Sequence, residues 1–355
     1  MSRIGFGLLA AVTAFGALTV GPATINAAPA RAGNQPVRLL LTGDSITHGS
    51  HGDYTWRYRL AQEFRLQAKP FDFVGSWTSP YKPIEFAAAA YADPAFDQDH
   101  FSRAGWQLRE MVGAIGAEVG RHQPDVIVLE AGINDLRHGQ TADQIESSLR
   151  AWVKQVRAAK RDVRIVISPL LPADRVADRD RINAGVADYN ARLPRLATRL
   201  STRRSPVTVA RTNQGWSPAE HTWDGLHPTP ASEGLIARRI AEELARVGVL
   251  PTDPQIPIAT RWTFTQRPEV TLAGRTVTVR WSPQAVTSAS VQVRRIDAPA
   301  PVVTKERGQS AQFALERGGV YDVRLRLVRG TMTGPWGQAV TVEVPSVSSA
   351  PRLPR

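Results

Sequence analysis

One serine and one histidine, far apart in the chain, have neighbours that suit them for nucleophilic catalysis. Ser45 stands in "LLLTGDSITHGS", where an apolar run stops at Gly-Asp-Ser. A serine hydroxyl is a poor nucleophile until a base takes its proton, and an imidazole base needs an acceptor on its other nitrogen. In "WDGLHPT", Asp224 lies three residues before His227 and can accept from Nδ1–H, which leaves Nε2 for the serine. Ser45 is therefore a candidate nucleophile; the alternative is a polar residue that only ends a strand.

Seven histidines compete for the role of the base, and His227 stands out because Asp224 lies three residues before it in a loop that leads into the predicted last helix. His48 and His51 follow Ser45 too closely to turn back easily. His100, His122, His138 and His221 do not combine that spacing with such a loop. We expect structural or surface roles for these six.

Two further stretches offer hydrogen-bond donors for the oxyanion that forms during ester hydrolysis. Each such donor is worth roughly 10²- to 10³-fold in rate. In "EAGIND", Asn134 follows an apolar run and its side-chain NH₂ can donate; the alternative is an Asx turn that ends the strand. In "RAGWQ", Gly105 offers a backbone N–H beside a helix start; the alternative is a glycine needed only for the conformation of the loop.

The blocks "GDSITHG", "RAGW", "GIND" and "DGLHP", in this order, resemble the four sequence blocks of the SGNH, or GDSL-type, hydrolase family. The Gly-X-Ser-X-Gly elbow of α/β-hydrolases is absent from the sequence. The resemblance spans Val37 to about Val249. It implies that Ser45 is the nucleophile and also donates its backbone N–H. It also implies that His227 is the base and that Asp224 orients it.

The same resemblance assigns Gly105 and Asn134 to the oxyanion hole and implies neither a metal nor an organic cofactor. Each block is weak alone, whereas four in order, each at a strand end or a helix start, are strong together. Because the second block is short, Gly113 and Gly116 stay alternatives to Gly105.

Three acidic features near these blocks are expected to have structural roles. Asp135 is expected to stabilise a loop rather than to act as an acid. Glu130 lies on an otherwise apolar strand and is expected to hydrogen-bond the nucleophile loop. The acidic loop "DPAFDQDH" matches no EF-hand spacing, so we predict no metal site there.

The four sequence blocks lie in a region of predicted alternating strands and helices. From Val37 to about Leu250, short apolar runs alternate with segments of helical period, which is typical of a parallel sheet covered by helices on both faces. The predicted strands are "VRLLLTG", "FDFVGS", "DVIVLEAG", "DVRIVISP" and "PVTVA". In open α/β sheets the carboxyl ends of the strands line the ligand crevice. We therefore predict a three-layer α/β/α, flavodoxin-like catalytic domain at residues 36–250.

Two helix starts are predicted from their capping residues. Thr141 and Gln144 form a capping-box pair in front of an apolar stripe. Thr229 is the predicted N-cap of the last helix, with Pro230 as its first residue and an end near Gly248.

The chain beyond about residue 250 has the composition of a second domain. We interpret "LPTDPQIPIA" as a stiff, Pro-rich linker at residues 251–257. Alternating apolar residues then predict a small all-β sandwich at residues 258–345, and residues 346–355 are predicted to be a disordered tail. "GGVYDVRLRLV" and "TGPWGQAVTVEV" resemble the last two strands of a fibronectin type III domain, with Tyr321 as the corner tyrosine. A solvated sheet face, or alternatively a basic docking face, is predicted from four arginines: Arg280, Arg294, Arg324 and Arg326.

The N-terminus has the layout of an export signal. Met1-Ser2-Arg3, the uncharged run Ile4 to Val20 and the small-residue region "NAAPARA" predict a signal peptide at residues 1–30. A signal anchor is the alternative, because the run approaches the length of a membrane span. The absence of cysteine excludes disulfides, Cys-ligated zinc and thiol nucleophiles. We expect a secreted protein, extracellular or associated with the cell wall, with no stable membrane span after processing.

A net charge of +12, mostly from arginine, favours attraction to polyanions such as cell-wall polymers or anionic polysaccharide. A generally basic, solvated surface is the alternative. The chain has no run of basic residues interleaved with aromatic ones and none of the nucleic-acid-binding signatures, so we predict no nucleic-acid partner.

The stretch "GDSITHGSHGDYTWRYRLAQEF", the later "FDFVGS" and a histidine shortly before "GW" resemble the secreted carbohydrate-esterase branch of the family, whose members remove acetyl groups from xylan and related glycans. The resemblance implies a secreted serine esterase that removes O-acetyl groups from a polysaccharide or glycan. A lipase or phospholipase-type acyl esterase is the alternative within the family. A non-catalytic cell-wall or glycan-binding protein is the alternative from another class. The segment Tyr81 to Phe101 is expected beside the pocket mouth.

Overall fold

The computed structural model describes residues 35–50, 52–81, 90–256, 265–281, 286, 288–329 and 332–346. The predicted signal peptide, His51 and the predicted tail from residue 347 onward lie outside the described residues. None of the helices within the ranges given is long and apolar enough to cross a membrane.

The N-terminal part is built on a parallel sheet of six strands. In chain order they are β1 (Val37–Gly43), β2 (Phe71–Val74), β3 (Phe101–Ser102), β4 (Val126–Glu130), β5 (Arg164–Ile167) and β6 (Val207–Val209). The strand order is β2-β1-β4-β5-β6, with the short β3 paired to the end of β1. All five predicted strands are confirmed. The sequence pattern missed β3, because a strand of two residues is too short to show a period.

Helices cover both faces of this sheet. They are α1 (Ser45–His48), α2 (Thr55–Leu66), α3 (Leu108–His122), α4 (Ile133–Arg137), α5 (Ala142–Ala159), α6 (Arg179–Leu200), α7 (Pro218–His221) and α8 (Pro230–Arg246). Successive side chains of a strand point to opposite faces, so Leu40 packs in the cluster under α3, α5 and α6, while Leu39 and Leu41 pack in the cluster under α2 and α8. The predicted three-layer α/β/α domain is confirmed.

The predicted capping residues begin their helices as expected. Thr141 and Gln144 form the reciprocal capping box of α5. Thr229 accepts from the backbone N–H of Ser232, and Pro230 is the first residue of α8. These side chains satisfy backbone N–H groups that the first turn of a helix leaves without a partner.

The C-terminal part is an antiparallel sandwich, as predicted. Its strands are β7 (Glu269–Ala273), β8 (Thr276–Arg280), β9 (Ser288–Arg295), β10 (Val302–Glu306), β11 (Ser310–Ala314), β12 (Val320–Arg329), β13 (Met332–Thr333) and β14 (Val340–Glu343). One sheet has the order β11-β8-β7, and the other has the order β10-β9-β12-β13 with β14 also on β12. Apolar side chains from both sheets form one cluster between them.

Tyr321 has the geometry of a corner tyrosine. Its hydroxyl accepts from the backbone N–H of Glu316 at 3.0 Å and donates to the carbonyl of the same residue at 3.3 Å. A bond from a tyrosine to the backbone a few residues upstream is a hallmark of sandwich domains of this kind. The more specific likeness to fibronectin type III stays a prediction.

The segment between the two parts packs against α2. Thr252 and Gln67 exchange two hydrogen bonds of 3.1 Å, and the backbone N–H of Gln255 donates to the Glu63 carboxylate. Ile256 is buried in the cluster under α2 and α8. The predicted linker is therefore held on the surface of the first domain up to residue 256. The domain boundaries themselves stay predictions.

Candidate active site

Ser45 begins α1 directly after the end of β1. Asp44 is the N-cap of this helix, and its Oδ1 accepts from the backbone N–H of Ile46 at 3.0 Å. A Cβ on Gly43 would lie 1.9 Å from the carbonyl oxygen of Glu130, so this position admits only glycine. Each residue of the Gly-Asp-Ser motif thus has a structural role. The glycine allows the close contact between strands, the aspartate caps the helix, and the serine lies at the carboxyl edge of the sheet.

Ser45, His227 and Asp224 are connected by two successive hydrogen bonds. The Oγ atom of Ser45 is 2.9 Å from Nε2 of His227, and Nδ1 of His227 is 2.6 Å from Oδ2 of Asp224. With Nδ1–H donated to the carboxylate, Nε2 is the acceptor for the serine hydroxyl. The structure therefore brings together the three residues that the motifs predict, although the first two are 182 residues apart.

Asp224 is held by backbone donors as well as by the imidazole. Its Oδ1 accepts from the N–H of Leu226 at 2.9 Å and of His227 at 2.7 Å. Burial opposes ionisation, but the bond and charge of His227, together with these backbone bonds, keep the pKa of Asp224 below its usual value. The carboxylate therefore stays charged and fixed toward Nδ1.

Trp223 supports the imidazole from the side. Its ring is nearly parallel to that of His227, at 22° with centroids 5.8 Å apart. Its backbone N–H donates to the carbonyl of His227 at 3.0 Å, and Thr222 pairs with Pro228. The loop from Thr222 to Pro228 is a closed turn that holds the histidine next to Ser45.

Asn134 is buried in α4 at the end of β4. Its Nδ2 donates to the carbonyl of Trp106 at 3.1 Å, and its Oδ1 accepts from Arg137 at 3.0 Å. An Asx turn would use the backbone just after Asn134, whereas this amide reaches a loop 28 residues earlier. A primary amide has two hydrogens, so the bond to Trp106 uses one and leaves the other for a ligand.

Gly105 lies in the turn that follows β3, and Trp106 comes directly after it. Its φ of +81° is a conformation that favours glycine. The turn is attached to the nucleophile strand, because the N–H of Arg103 donates to the carbonyl of Gly43 at 3.1 Å. The alternatives Gly113 and Gly116 lie inside α3, where the helix uses backbone N–H groups.

Asp135 and Glu130 have the supporting roles that were expected. Asp135 accepts from the N–H of Leu108 at 2.7 Å and of Arg109 at 3.4 Å, and so holds the start of α3. Glu130 accepts from the hydroxyl of Thr47, in the nucleophile helix, at 3.2 Å. The predicted loop-stabilising and nucleophile-loop contacts are both confirmed.

Asp44 and Glu130 also form a buried carboxyl pair, which the sequence did not reveal. Burial raises the pKa of Asp44 to about 6. Burial and the charge of Asp44 raise the pKa of Glu130 well above its usual value. The protonated form of Glu130 is therefore favoured beside Asp44, behind Ser45.

His48 is not oriented toward Ser45 as a base. Its Nδ1 accepts from the backbone N–H of Ala104 at 3.1 Å, and its Nε2 donates to the carbonyl of Ser79 at 3.1 Å. Burial lowers the pKa of His48 to about 4, so the ring is neutral. This histidine ties the nucleophile helix to the turn that contains Gly105, a role that its sequence position did not indicate.

Arg57 is a second supporting residue that the sequence analysis missed. It is fully buried, and its guanidinium donates to the carbonyls of Thr47 at 2.9 Å, His48 at 3.3 Å and Gln98 at 3.0 Å. The bonds to Thr47 and His48 satisfy carbonyl groups at the end of α1 that the short helix leaves unpaired. The side chain lies ten residues after Thr47, a spacing with no recognisable pattern.

The carboxylates of the acidic loop hold backbone groups. Asp97 accepts from the N–H of Phe73 at 2.7 Å, and Asp93 accepts from the N–H of Ala95 at 2.9 Å. Within the described ranges, no three His, Cys, Asp or Glu side chains are grouped so that they could hold a metal ion.

The stretch that carries the site matches a known family and solved structures. The model of the GDSL-like Lipase/Acylhydrolase family matches residues 41–233. A mutant acetyl esterase crystallised with acetate ion is 25% identical with a TM-score of 0.50, and the match covers 59% of this chain and 97% of that one. A carbohydrate esterase family 3 protein from Talaromyces cellulolyticus is 25% identical with a TM-score of 0.51, over 59% and 97% of the two chains. None of the curated proteins matches this chain.

A family 3 carbohydrate esterase from Clostridium thermocellum has the same fold. It is 21% identical, its TM-score is 0.50, and the match covers 60% of this chain and 97% of that one. These matches cover almost the whole of each solved chain, so the remainder of the present chain is additional to the shared fold.

Proposed function

We propose that this chain, which belongs to the GDSL-like lipase/acylhydrolase family and is a carboxylic ester hydrolase, transfers the acyl group of its substrate to Ser45 and then to water. The observation that carries this assignment is the 2.9 Å contact between Oγ of Ser45 and Nε2 of His227, with Asp224 on the other ring nitrogen. A hydroxyl and an oriented imidazole at this distance are the arrangement that nucleophilic acyl transfer needs.

In the acylation step, Nε2 of His227 takes the hydroxyl proton while Oγ of Ser45 attacks the ester carbonyl carbon. The carbonyl oxygen becomes an oxyanion, for which we propose three donors: the N–H of Ser45, the N–H of Gly105 and Nδ2 of Asn134. The tetrahedral intermediate collapses as Nε2 returns the proton to the leaving alcohol. The Asp224 carboxylate stabilises the imidazolium that exists between these two transfers.

Deacylation repeats the same steps with water as the nucleophile. His227 takes a proton from water, hydroxide adds to the acyl carbon, and the intermediate collapses with Oγ of Ser45 as the leaving group. His227 gives that oxygen its proton, and the free acid departs. Besides the substrate and water, this mechanism uses only the groups of Ser45, Gly105, Asn134, Asp224 and His227.

For the substrate we propose an O-acetylated polysaccharide or glycan. An acetyl esterase and a carbohydrate esterase are among the similar structures. An aromatic surface formed by Trp77 and Trp106, with the buried Phe101 packed behind Trp77, supports a sugar ligand. Trp77 stacks on Phe101 at 17° with centroids 4.7 Å apart, lies 5.3 Å from Trp106, and is 36% exposed.

This aromatic surface adjoins the proposed oxyanion hole. Trp106 follows Gly105, and its carbonyl receives the hydrogen bond from Asn134. Flat aromatic faces stack against the apolar faces of sugar rings. A sugar that rests on Trp77 would thus lie beside the turn that contains Gly105 and Trp106. The predicted export signal and the net charge of +12 suit an enzyme that acts outside the cell on acetylated or anionic polymers, and we propose that location.

The alternative substrate class is a lipid ester, and the alternative of another class is a non-catalytic glycan-binding protein. A comparison of three substrates separates them: acetylated xylan, p-nitrophenyl acetate and p-nitrophenyl palmitate. We expect turnover of the first two and little turnover of the palmitate. Preference for the palmitate would favour the lipid alternative.

Labelling with a serine-directed fluorophosphonate tests the nucleophile in the same samples. We expect the wild-type chain and the control Ser147→Ala, on the exposed side of α5, to be labelled and active. Ser45→Ala should be folded, unlabelled and inactive. Undiminished turnover by Ser45→Ala would overturn the proposed mechanism, and absence of all labelling in the wild type would favour the binding protein.

A further inference from the structure

Arg329 ends β12 on the inward side of the C-terminal sandwich. Tyr321, Val323, Leu325 and Leu327 are the buried residues of this row, and the alternation continues to Arg329. The arginine side chain is 1% exposed. A buried charge is costly unless it is paired, so this guanidinium needs partners inside the protein.

The partners of Arg329 lie in the catalytic part of the chain. One of them, Asp53, is 276 residues earlier. Nη1 of Arg329 donates to Oδ1 of Asp53, and its Cζ lies 4.9 Å from the centroid of the Trp223 ring. Both parts of the chain belong to one compact unit, Asn34–Arg355. The sandwich therefore places a cation among the loops of the candidate active site.

Each partner of Arg329 leads to one member of the catalytic pair. Oδ2 of Asp53 accepts from the N–H of Ser50 at 2.6 Å, in the loop that follows the nucleophile helix. Trp223 stacks on His227. The guanidinium of Arg329 is thus connected to two loops. Asp53 connects it to the loop that follows Ser45, and Trp223 connects it to the loop that contains His227.

The ionisable groups around Asp53 favour a cation at the position of Arg329. Glu233, at the start of α8, is buried close to Asp53, Arg59 and Arg329. Burial and the charge of Asp53 raise the pKa of Glu233 to about 8, while the two arginines act in the opposite direction. Glu233 is thus largely neutral at pH 7, and Arg329 is the cation that compensates the buried Asp53.

We propose that Arg329 is a positioning residue of the esterase, by which the C-terminal sandwich fixes the distance between Ser45 and His227. This inference rests on the proposed function. It gives the sandwich a role in completing the active site, where an independent binding module or a spacer would leave the rate of acylation untouched. A displacement of about 1 Å in a catalytic group costs on the order of 10²-fold in rate.

The experiment uses the full chain and four variants: Arg329→Met, Arg329→Lys, Asp53→Asn with Arg329→Met, and the control Arg324→Met from the same strand. Three quantities are measured: kcat/KM for p-nitrophenyl acetate, the rate of fluorophosphonate labelling, and the thermal unfolding temperature. The small ester needs no glycan contact, so its rate reports on the catalytic pair. A proton NMR spectrum follows the strongly downfield signal of the Nδ1–H of His227.

We expect Arg329→Met to lower kcat/KM and the labelling rate by about 10²-fold, and to broaden or shift the Nδ1–H signal. Arg329→Lys keeps the charge beside Asp53 but loses the guanidinium contact with the Trp223 ring, so its rates should be intermediate. Arg324→Met should match the wild type in all measurements.

The double variant distinguishes positioning from stability alone. It leaves no unpaired buried charge, so its unfolding temperature should recover relative to Arg329→Met. If Arg329 positions the catalytic loops, the labelling rate stays low; if the rate recovers together with the unfolding temperature, the inference is wrong. Should Arg329→Met fail to fold, Arg329→Lys and the double variant decide, and wild-type rates in both would overturn the proposal. A wild-type chain that is neither labelled nor active would instead overturn the proposed function.

Discussion

Replacing Asp224 by asparagine tests whether the carboxylate sets the tautomer of the base. The two carboxylate oxygens have separate tasks: Oδ1 accepts two backbone N–H groups at 2.9 and 2.7 Å, and Oδ2 accepts Nδ1–H of His227 at 2.6 Å. Asparagine has one acceptor oxygen and one NH₂ group. If the oxygen keeps the backbone bonds, the NH₂ group faces Nδ1 and forces it to accept.

The imidazole then carries its proton on Nε2, which faces Ser45 Oγ at 2.9 Å and can no longer accept from it. The lost tautomer and the lost charge together are worth about 10⁴-fold in kcat, the size known for this change in serine proteases, or about 5 kcal/mol of transition-state stabilisation. Asp224→Asn is expected to fold normally, since the two side chains have nearly the same shape.

The assay is the hydrolysis of p-nitrophenyl acetate by the wild type, Asp224→Asn and the exposed control Asp180→Asn, whose side chain is 88% exposed. We expect near-normal rates for the control and a loss of about 10⁴-fold for Asp224→Asn at unchanged thermal stability. A loss of less than about tenfold would refute the idea that Asp224 holds the tautomer of the base.

Three further predictions concern the oxyanion hole, the nucleophile turn and the buried carboxyl of α8. Asn134→Ala should lower kcat by about 10²- to 10³-fold with little change in KM, and a change in KM alone would contradict its role. Gly43→Ala places a Cβ 1.9 Å from the Glu130 carbonyl, so it should cost about 1–3 kcal/mol or more in urea unfolding and reduce fluorophosphonate labelling; wild-type stability would contradict this packing. Because the pKa of Glu233 is raised to about 8, folding favours its protonated form, and the stability it contributes is lost as pH rises from about 4.5 toward 8. Glu233→Gln should therefore flatten the fall in the free energy of unfolding over that range, and an unchanged slope would speak against a buried, proton-binding Glu233.

The sequence predicted the sheet and the candidate trio of Ser45, Asp224 and His227 because both depend on local pattern. Apolar runs of four to seven residues mark the central strands, and Ser45 and His227 each stand in a short motif at the edge of that sheet. Asp224 could be identified because it lies three residues before His227, within the same turn.

The supporting residues could not be predicted, because their partners are distant in the chain. Arg57 contacts the end of α1 from the first turn of α2, and nothing in its sequence neighbourhood marks it as buried. Asp44 and Glu130 meet only because β1 and β4 are adjacent. The alternation of β12 does place Arg329 in the same inward-facing row as Leu325 and Leu327. An arginine of a sandwich strand was nevertheless expected to face solvent.

The central claim is that the acyl group passes through Ser45. The most direct measurement is mass spectrometry of the wild-type protein quenched during turnover of p-nitrophenyl acetate. The account predicts one added acetyl group, located by peptide mapping on Ser45, and none in Ser45→Ala. Continued turnover with no acetylated Ser45, or an acetyl group on another residue that is equally present in Ser45→Ala, would contradict it.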